Sequence, residues 1–145
     1  MSLERIKLPI SRSYPPRVSA FSLPFWTALN EGKWITSCCA DCGRQTFPPK
    51  SVCPHCWSSN VIWSDLSDRG TLYSWTRIHS APTAFADEAP YAVCIVDLDS
   101  GIRLACRLVE RDDVTVAPGI PVEIVVLAYE DGPLFAARPM DTVSD

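Results

Sequence analysis

Through the C-terminal half of the chain, apolar and polar residues alternate in short runs, and turn residues close each run. A period of two marks a half-buried strand. The runs lie at 71–79, 91–97, 102–109, 122–128 and 134–137, with Leu98-Asp99-Ser100-Gly101, Pro118-Gly119 and Asp131-Gly132 as turns. Residues 80–90 form a loop that is long for a small barrel. Five strands at hairpin spacing, with no sequence left for a second sheet, predict a small closed barrel of OB type. In the third run Ile102, Leu104, Cys106 and Leu108 share a core face, and Arg103, Ala105 and Arg107 share the outer one. Cys94 and Cys106, both mid-strand, are expected to be buried thiols that pack as small hydrophobes. Strict alternation in the first run sets Tyr73, Trp75, Arg77 and His79 on one face and Leu72, Ser74, Thr76 and Ile78 on the other. The second face is too polar for a full core, so the aromatics are expected to fill the barrel or its junction. Aromatic and basic residues on one OB strand also suit base stacking, which is the alternative.

The N-terminal half changes period. Ser22 can cap a helix over Leu23–Glu31, with Pro24 in the first turn and Gly32 ending it. A helix this short is marginal alone, so Phe25, Leu29 and the adjacent Trp26 must dock on the same domain or on another protein. Strands over 33–38, 44–47 and 57–66 follow, with Pro48-Pro49 breaking the chain after the second. Residues 1–20 lack periodicity and read either as a flexible arm or as a segment ordered by a partner. The expected architecture is therefore mainly β: a basic arm at 1–20, a short helix and ribbon at 21–66, a five-stranded OB barrel at 67–140, and a tail at 141–145.

The chemistry that stands out lies between those strands. Cys39 and Cys42 form one Cys-x-x-Cys pair, and Cys53 and Cys56 form another. In each pair the backbone can turn so that both sulfurs aim at one point. Two such knuckles supply four soft ligands for tetrahedral zinc, and their spacing is that of a zinc ribbon. A redox pair is the first rival, but no βαβ pattern surrounds Cys53-Pro54-His55-Cys56. Disulfides are the second, opposed by an odd count of seven cysteines and by the lack of a signal-peptide stretch in residues 1–20. A catalytic zinc is the third, but four thiolates leave no open position. Cys38 could replace Cys39 as a ligand. Gly43 directly after Cys42 favours the Cys39 knuckle, with Cys38 ending the incoming strand.

Composition narrows the partners. Of 145 residues 47% are hydrophobic and 21% charged, and no apolar stretch approaches transmembrane length, so a soluble, cytoplasmic protein is expected. Arg5, Lys7, Arg12 and Arg17 against Glu4 give the arm +3, leaving −7 on the rest of a chain of net charge −4. Four zinc-bound thiolates would add about −2. An acidic body opposes a phosphate backbone. Only two histidines are present, one of them inside a knuckle, and no nucleophile–base set can be named from spacing.

Phe25-Trp26, Cys39 to Gly43, Pro48-Pro49, Cys53 to Cys56, Trp63, Gly70 to Ser74, Pro90-Tyr91 and Gly119 to Val122 occur in an order that resembles a known family over residues 21–138. It is the family of rubredoxin-like zinc ribbon plus OB-fold proteins, first catalogued as a domain of unknown function and described as acyl-CoA-associated. The resemblance implies a non-catalytic subunit that binds a thiolase-like enzyme, or a related aldolase or hydratase, and helps hold or channel acyl-CoA. It carries Cys39, Cys42, Cys53 and Cys56 over as ligands of one structural zinc. It assigns no CoA-contacting residues. From the residues themselves, Arg77, Arg103 and Arg107 are the candidates for the CoA phosphates, Tyr73 or Trp75 for adenine, and Phe25 and Trp26 for the partner enzyme. Single-strand nucleic-acid binding through the same barrel face is the alternative. Cys38 and the basic arm lie outside the family pattern.

Overall fold

Alternation and turn chemistry build nearly every expected strand, and long-range pairing adds one that the sequence does not announce. The computed structural model describes residues 2–140, so the tail at 141–145 lies outside the described residues. The elements in order are β1 (Arg5–Lys7), α1 (Leu23–Asn30), β2 (Ile35–Cys39), β3 (Gln45–Thr46) and β4 (Val61–Asp65). They continue with β5 (Arg69–Ile78), a 3-10 helix (Thr83–Glu88), β6 (Tyr91–Leu98), β7 (Arg103–Leu108), β8 (Pro121–Tyr129) and β9 (Gly132–Pro139).

Strands β5, β6 and β7 form an antiparallel meander, and β9 pairs parallel with β7 and antiparallel with β8. Pairing of β8 with β5 at Arg69–Thr71 closes the five-stranded barrel. Gly70 sits at that crossing, where a Cβ would overlap the Asp97 carbonyl oxygen. The interior holds Leu72, Cys94, Val96, Leu104, Leu108, Val122, Ile124 and Val126; Leu104 and Leu108 lie there as the alternation expects, whereas Leu72 belongs to the face expected to lie away from the core. Strand β8 is buried on both faces, because Val125, Leu127 and Tyr129 form a second small core with Ala136.

Part of that second core is the arm, which is a correction to the flexible reading. Pairing of β5 with β8 stops at Glu123, leaving the far half of that β8 edge bare. Strand β1 takes it, running parallel with Arg5 opposite Val126 and Lys7 opposite Ala128. A bare edge invites foreign strands, and β1 covers it. Further on, Arg12 bonds Asp131 and the Pro133 carbonyl, and the Ser13 hydroxyl donates to Glu88. Three paired residues with no local turn carry no pattern that periodicity can detect.

Residues 80–90 hold a further correction. This loop contains the 3-10 helix, whose last residue, Glu88, accepts hydrogen bonds from Ser13, Arg107 and Tyr129. Partial burial pushes the Glu88 carboxyl up, but the Ser13 hydroxyl, the Arg107 guanidinium and the Tyr129 phenol together hold it below its ordinary value. A carboxylate depressed on folding stabilises fully above its unfolded pKa, and that contribution fades as pH falls through the folded one. Glu88→Gln should therefore lower the denaturant midpoint at neutral pH, and the gap from wild type should shrink as pH drops below about 4. A gap independent of pH would exclude this role.

The ribbon is the sheet β3-β2-β4. Strand β4 is shorter than expected, because residues 57–60 complete the second knuckle. Helix α1 ends at Gly32 as expected, with φ +81°. Ser22 does not cap it: the Ser22 hydroxyl accepts the Ser19 N–H at 2.9 Å, since the chain enters through a turn from Ser19. The helix docks on its own chain. Phe25 is 3% exposed, with ring centroids 5.0 Å from Trp26, 5.9 Å from Trp34 and from Phe47, and 6.2 Å from Phe135. Helix, ribbon and barrel thus meet in one continuous core.

Candidate metal centre and ligand face

The two knuckles are copies of one turn. Gly43 N–H donates to the Cys39 carbonyl and Trp57 N–H to the Cys53 carbonyl, each at 2.8 Å. Cys39 N–H bonds the Arg44 carbonyl and Cys53 N–H the Ser58 carbonyl in the matching way. The four Sγ atoms of Cys39, Cys42, Cys53 and Cys56 lie within 4.8 Å of one another. Cys39 and Cys56 sulfurs are 3.5 Å apart, and those of Cys42 and Cys53 3.6 Å. A tetrahedron with Zn–S of about 2.3 Å has edges of ~3.8 Å, so four thiolates in this arrangement fit one zinc and close its coordination. The Cys42 N–H, 3.4 Å from the Cys39 sulfur, draws that thiol down to about 6 and prepares it as a thiolate ligand. Cys38 stays out: its sulfur faces the Gly43 carbonyl at 3.7 Å.

The matched turns expose an oddity that sequence reading missed. The residue after the second cysteine needs a left-handed backbone. The first knuckle meets this with Gly43 (φ +77°), the second with Trp57 (φ +66°), whose side chain is 80% exposed. A bulky residue there costs roughly 1–2 kcal/mol of backbone strain. Aligning the two Cys-x-x-Cys units would have shown Trp57 in the glycine position rather than in a strand. Trp57→Gly should raise stability by about 1 kcal/mol, the relieved strain less the added freedom of the unfolded chain. Chemical denaturation checks this, and a lowered midpoint would mean that the indole contributes packing.

The ligand residues expected from sequence do not converge. Strand β5 carries a bulge at Tyr73, between Leu72 opposite Val96 and Ser74 opposite Ile95. The bulge reverses the phase, so Leu72 and Trp75 both turn toward the core while Tyr73 stays outside, 51% exposed. This corrects the shared Tyr73–Trp75 face, because alternation cannot be carried across an extra residue. The Arg103 guanidinium covers the Tyr73 ring at 3.8 Å and is held by Asp97 through Nε at 2.6 Å and Nη2 at 3.1 Å. Arg107 stacks on Tyr91 at 4.0 Å and bonds Glu88 at 3.2 Å, while Arg77 pairs with Glu110. Each arginine therefore already has a carboxylate. Phe25 is internal, which removes it from any exposed partner contact, and Trp26 is half-buried beside it.

Two cavities border these residues. Ser74, Thr76, Val93, Ile95, Ala105 and Arg107 line an open groove of about 510 Å³ on the outer face of β5, β6 and β7. The other, about 460 Å³, lies where α1, the ribbon and the barrel meet. No helix among the described residues is long and apolar enough to cross a membrane.

Comparison with known proteins matches both halves of the chain in order. Residues 26–61 match the rubredoxin-like zinc ribbon domain of ChsH2, and residues 63–127 match the C-terminal OB-fold domain of ChsH2. A DUF35 domain-containing scaffold protein of Methanocaldococcus jannaschii is 33% identical over 96 residues, 65% of this chain and 68% of that protein. A probable enoyl-CoA hydratase alpha subunit of Thermomonospora curvata is 33% identical over 99 residues, 68% of this chain but 31% of the relative. The benzoylsuccinyl-CoA thiolase subunit BbsA of Thauera aromatica is 33% identical over 70 residues, 48% of this chain and 47% of the subunit. Among solved structures, a chain of the Ltp2-ChsH2(DUF35) aldolase superposes with a TM-score of 0.74 at 30% identity, covering 86% of this chain and 98% of that one.

Proposed function

Because this chain belongs to the DUF35 (ChsH2-type) family of rubredoxin-like zinc ribbon plus OB-fold proteins, we propose that it is a non-catalytic accessory subunit. It binds a thiolase-like enzyme, or a related aldolase or hydratase, and helps hold the CoA thioester that the enzyme transforms. The observation that carries this reading is the match over both halves to a subunit of a two-component aldolase. Relatives named as a CoA-thioester hydratase subunit and a CoA-thioester thiolase subunit point the same way. Local chemistry agrees: four of the seven thiols, Cys39, Cys42, Cys53 and Cys56, form a closed ligand set for a structural zinc. Unpaired cysteines throughout and a thiolate metal centre suit the reducing cytoplasm.

Single-strand nucleic-acid binding fares worse on this surface. A phosphate backbone needs a row of available cations, whereas Arg77, Arg103 and Arg107 are each committed to a carboxylate. Co-expression of the tagged chain with thiolase-like, aldolase and hydratase enzymes from the same organism tests the proposal. A stable complex with one of them that survives gel filtration is expected. Separate elution from all of them at micromolar concentration would contradict it.

A further inference from the structure

We infer that Cys94 and Cys106 are a peroxide-responsive thiol pair, and that oxidation joins them in a reversible disulfide across β6 and β7. The inference is independent of the proposed role in CoA-thioester metabolism and of the zinc. The two residues are direct partners in the antiparallel register, flanked by Ile95 opposite Ala105 and Val93 opposite Arg107. Both side chains turn to the core face, and their sulfurs are 3.9 Å apart. Directly opposed residues of an antiparallel pair have Cα atoms about 4.5–5.5 Å apart. A disulfide spans roughly 4.4–6.8 Å between Cα atoms. The backbone thus stands at bridging distance, and only the sulfurs must close, to about 2.05 Å. Packing alone would be met by any two small side chains; opposed sulfurs add a chemistry that packing does not require. Cys38, the remaining thiol outside the zinc set, is opposed by Gln45 and Ile62 and serves as an internal control.

The seam of the barrel gives access to the pair. Pairing of β7 with β9 is confined to Arg107 and Leu108, which leaves the β7 edge at residues 103–106 without a strand among the described residues. Cys106 is half-buried at this edge, and Cys94, behind it, is 4% exposed. Hydrogen peroxide, little larger than water, suits such a gap, whereas a peptide disulfide is too bulky. The hydrogen bond between the sulfurs lowers the Cys94 thiol, against the burial that raises it, and raises the Cys106 thiol, which burial raises further. Cys94 is therefore the member that reacts as the thiolate. Its sulfur attacks one peroxide oxygen, the O–O bond breaks, and a sulfenic acid forms on Cys94. The hydroxide released takes up the proton that Cys94 lost and leaves as water. Cys106 then attacks the oxidised sulfur, the S–O bond breaks, and the departing hydroxide leaves with the Cys106 proton as a second water. In sum two thiols give two electrons and two protons to one peroxide, which becomes two waters.

Trypsin cuts after Arg103, between the two cysteines, so the disulfide would link peptides 78–103 and 104–107, neither of which contains a zinc ligand. The test treats the zinc-loaded chain with rising hydrogen peroxide, alkylates the remaining thiols under denaturing conditions, and maps the digest by mass spectrometry while zinc content is followed in parallel. The linked peptides should appear before zinc is released, with Cys38 still alkylated, and should vanish on treatment with dithiothreitol. The bridge closes a loop of about a dozen residues, so the oxidised chain should unfold at a higher denaturant midpoint than the reduced one. In Cys106→Ser the Cys94 sulfenic acid has no thiol to resolve it and should be trapped by dimedone. In Cys94→Ser the Cys106 thiol should stay unlabelled at the same dose. Zinc release with Cys94 and Cys106 both still alkylated as free thiols would overturn the inference. A lowered midpoint in the linked chain would contradict a backbone already at bridging distance, and dimedone on Cys106 in place of Cys94 would overturn the order of attack. The wild-type chain alone decides whether the disulfide forms, so a variant that fails to fold does not shelter the inference.

Discussion

Cys53→Ser is expected to release the metal and unfold the ribbon while the barrel persists. Cys53 is 3% exposed, and its sulfur faces that of Cys42 across the cluster. A serine hydroxyl does not ionise at neutral pH and is a poor substitute for a thiolate. The ribbon strands are short, of five, two and five residues, and the shared core reaches them through Trp34 and Phe47 on the side away from the knuckles, so the metal is what holds the knuckles themselves. Zinc binding contributes roughly 10–16 kcal/mol in small metal-folded modules, so losing one ligand should remove several kcal/mol here. Hydrogen exchange should speed up in β2 and β4 and stay slow in β6 and β8, which the barrel core protects. Strong chelators should act similarly, and more readily at lower pH, where protons compete for the thiolates. Cys38→Ser is the control and should keep one zinc per chain. Full zinc content and an unchanged midpoint in Cys53→Ser would contradict the assignment.

Phe25→Ala should be nearly as damaging for a different reason. The Phe25 ring touches four other aromatic rings, one on its own helix, two in the ribbon and one on β9. Truncation there loses transfer energy and leaves a cavity that rings from three separate elements cannot collapse to fill. The expected cost is about 3–5 kcal/mol. Loss should be concentrated in the docking of α1, so limited proteolysis should cut near residues 17–32 before the barrel opens. A midpoint within about 1 kcal/mol of wild type would mean that the helix contributes little to the shared core.

These two residues differ in how openly the sequence displays them. The zinc ligands are legible because a knuckle is local chemistry: two cysteines, a two-residue gap and a following turn. The β6–β7 hairpin is legible too, since Gly101 marks its turn and Leu104 and Leu108 repeat on one face. The Tyr73 bulge is not, because one extra residue in β5 is defined only by the partner strand it fails to match. The same holds for β1, whose pairing with β8 joins segments about 120 residues apart, and for the Glu88 cluster, which gathers Ser13, Arg107 and Tyr129 from three regions. Trp57 lies between these cases. Its left-handed backbone was available from the repeat of the knuckle, but an aromatic ahead of a strand pattern reads as part of the strand.

The ligand face follows the same division. Alternation correctly placed Arg103 and Arg107 outside the barrel, but periodicity cannot report that Asp97 and Glu88 already hold them. Arg17 carried no signal beyond its charge, and it borders a cavity built from the helix, the Phe47 turn and β9. Sites assembled between structural units depend on how those units dock, which no local pattern encodes.

At the centre of the account is a zinc-clamped scaffold whose chemistry resides in a partner. Steady-state turnover of an acyl-CoA substrate tests this most directly, measured for the isolated chain, the isolated enzyme that co-purifies with it, and the two mixed. The account predicts no turnover by the chain alone and a rate for the mixture that exceeds the enzyme alone and saturates as the chain is added. Turnover by the purified chain, or an enzyme rate indifferent to its addition, would contradict it.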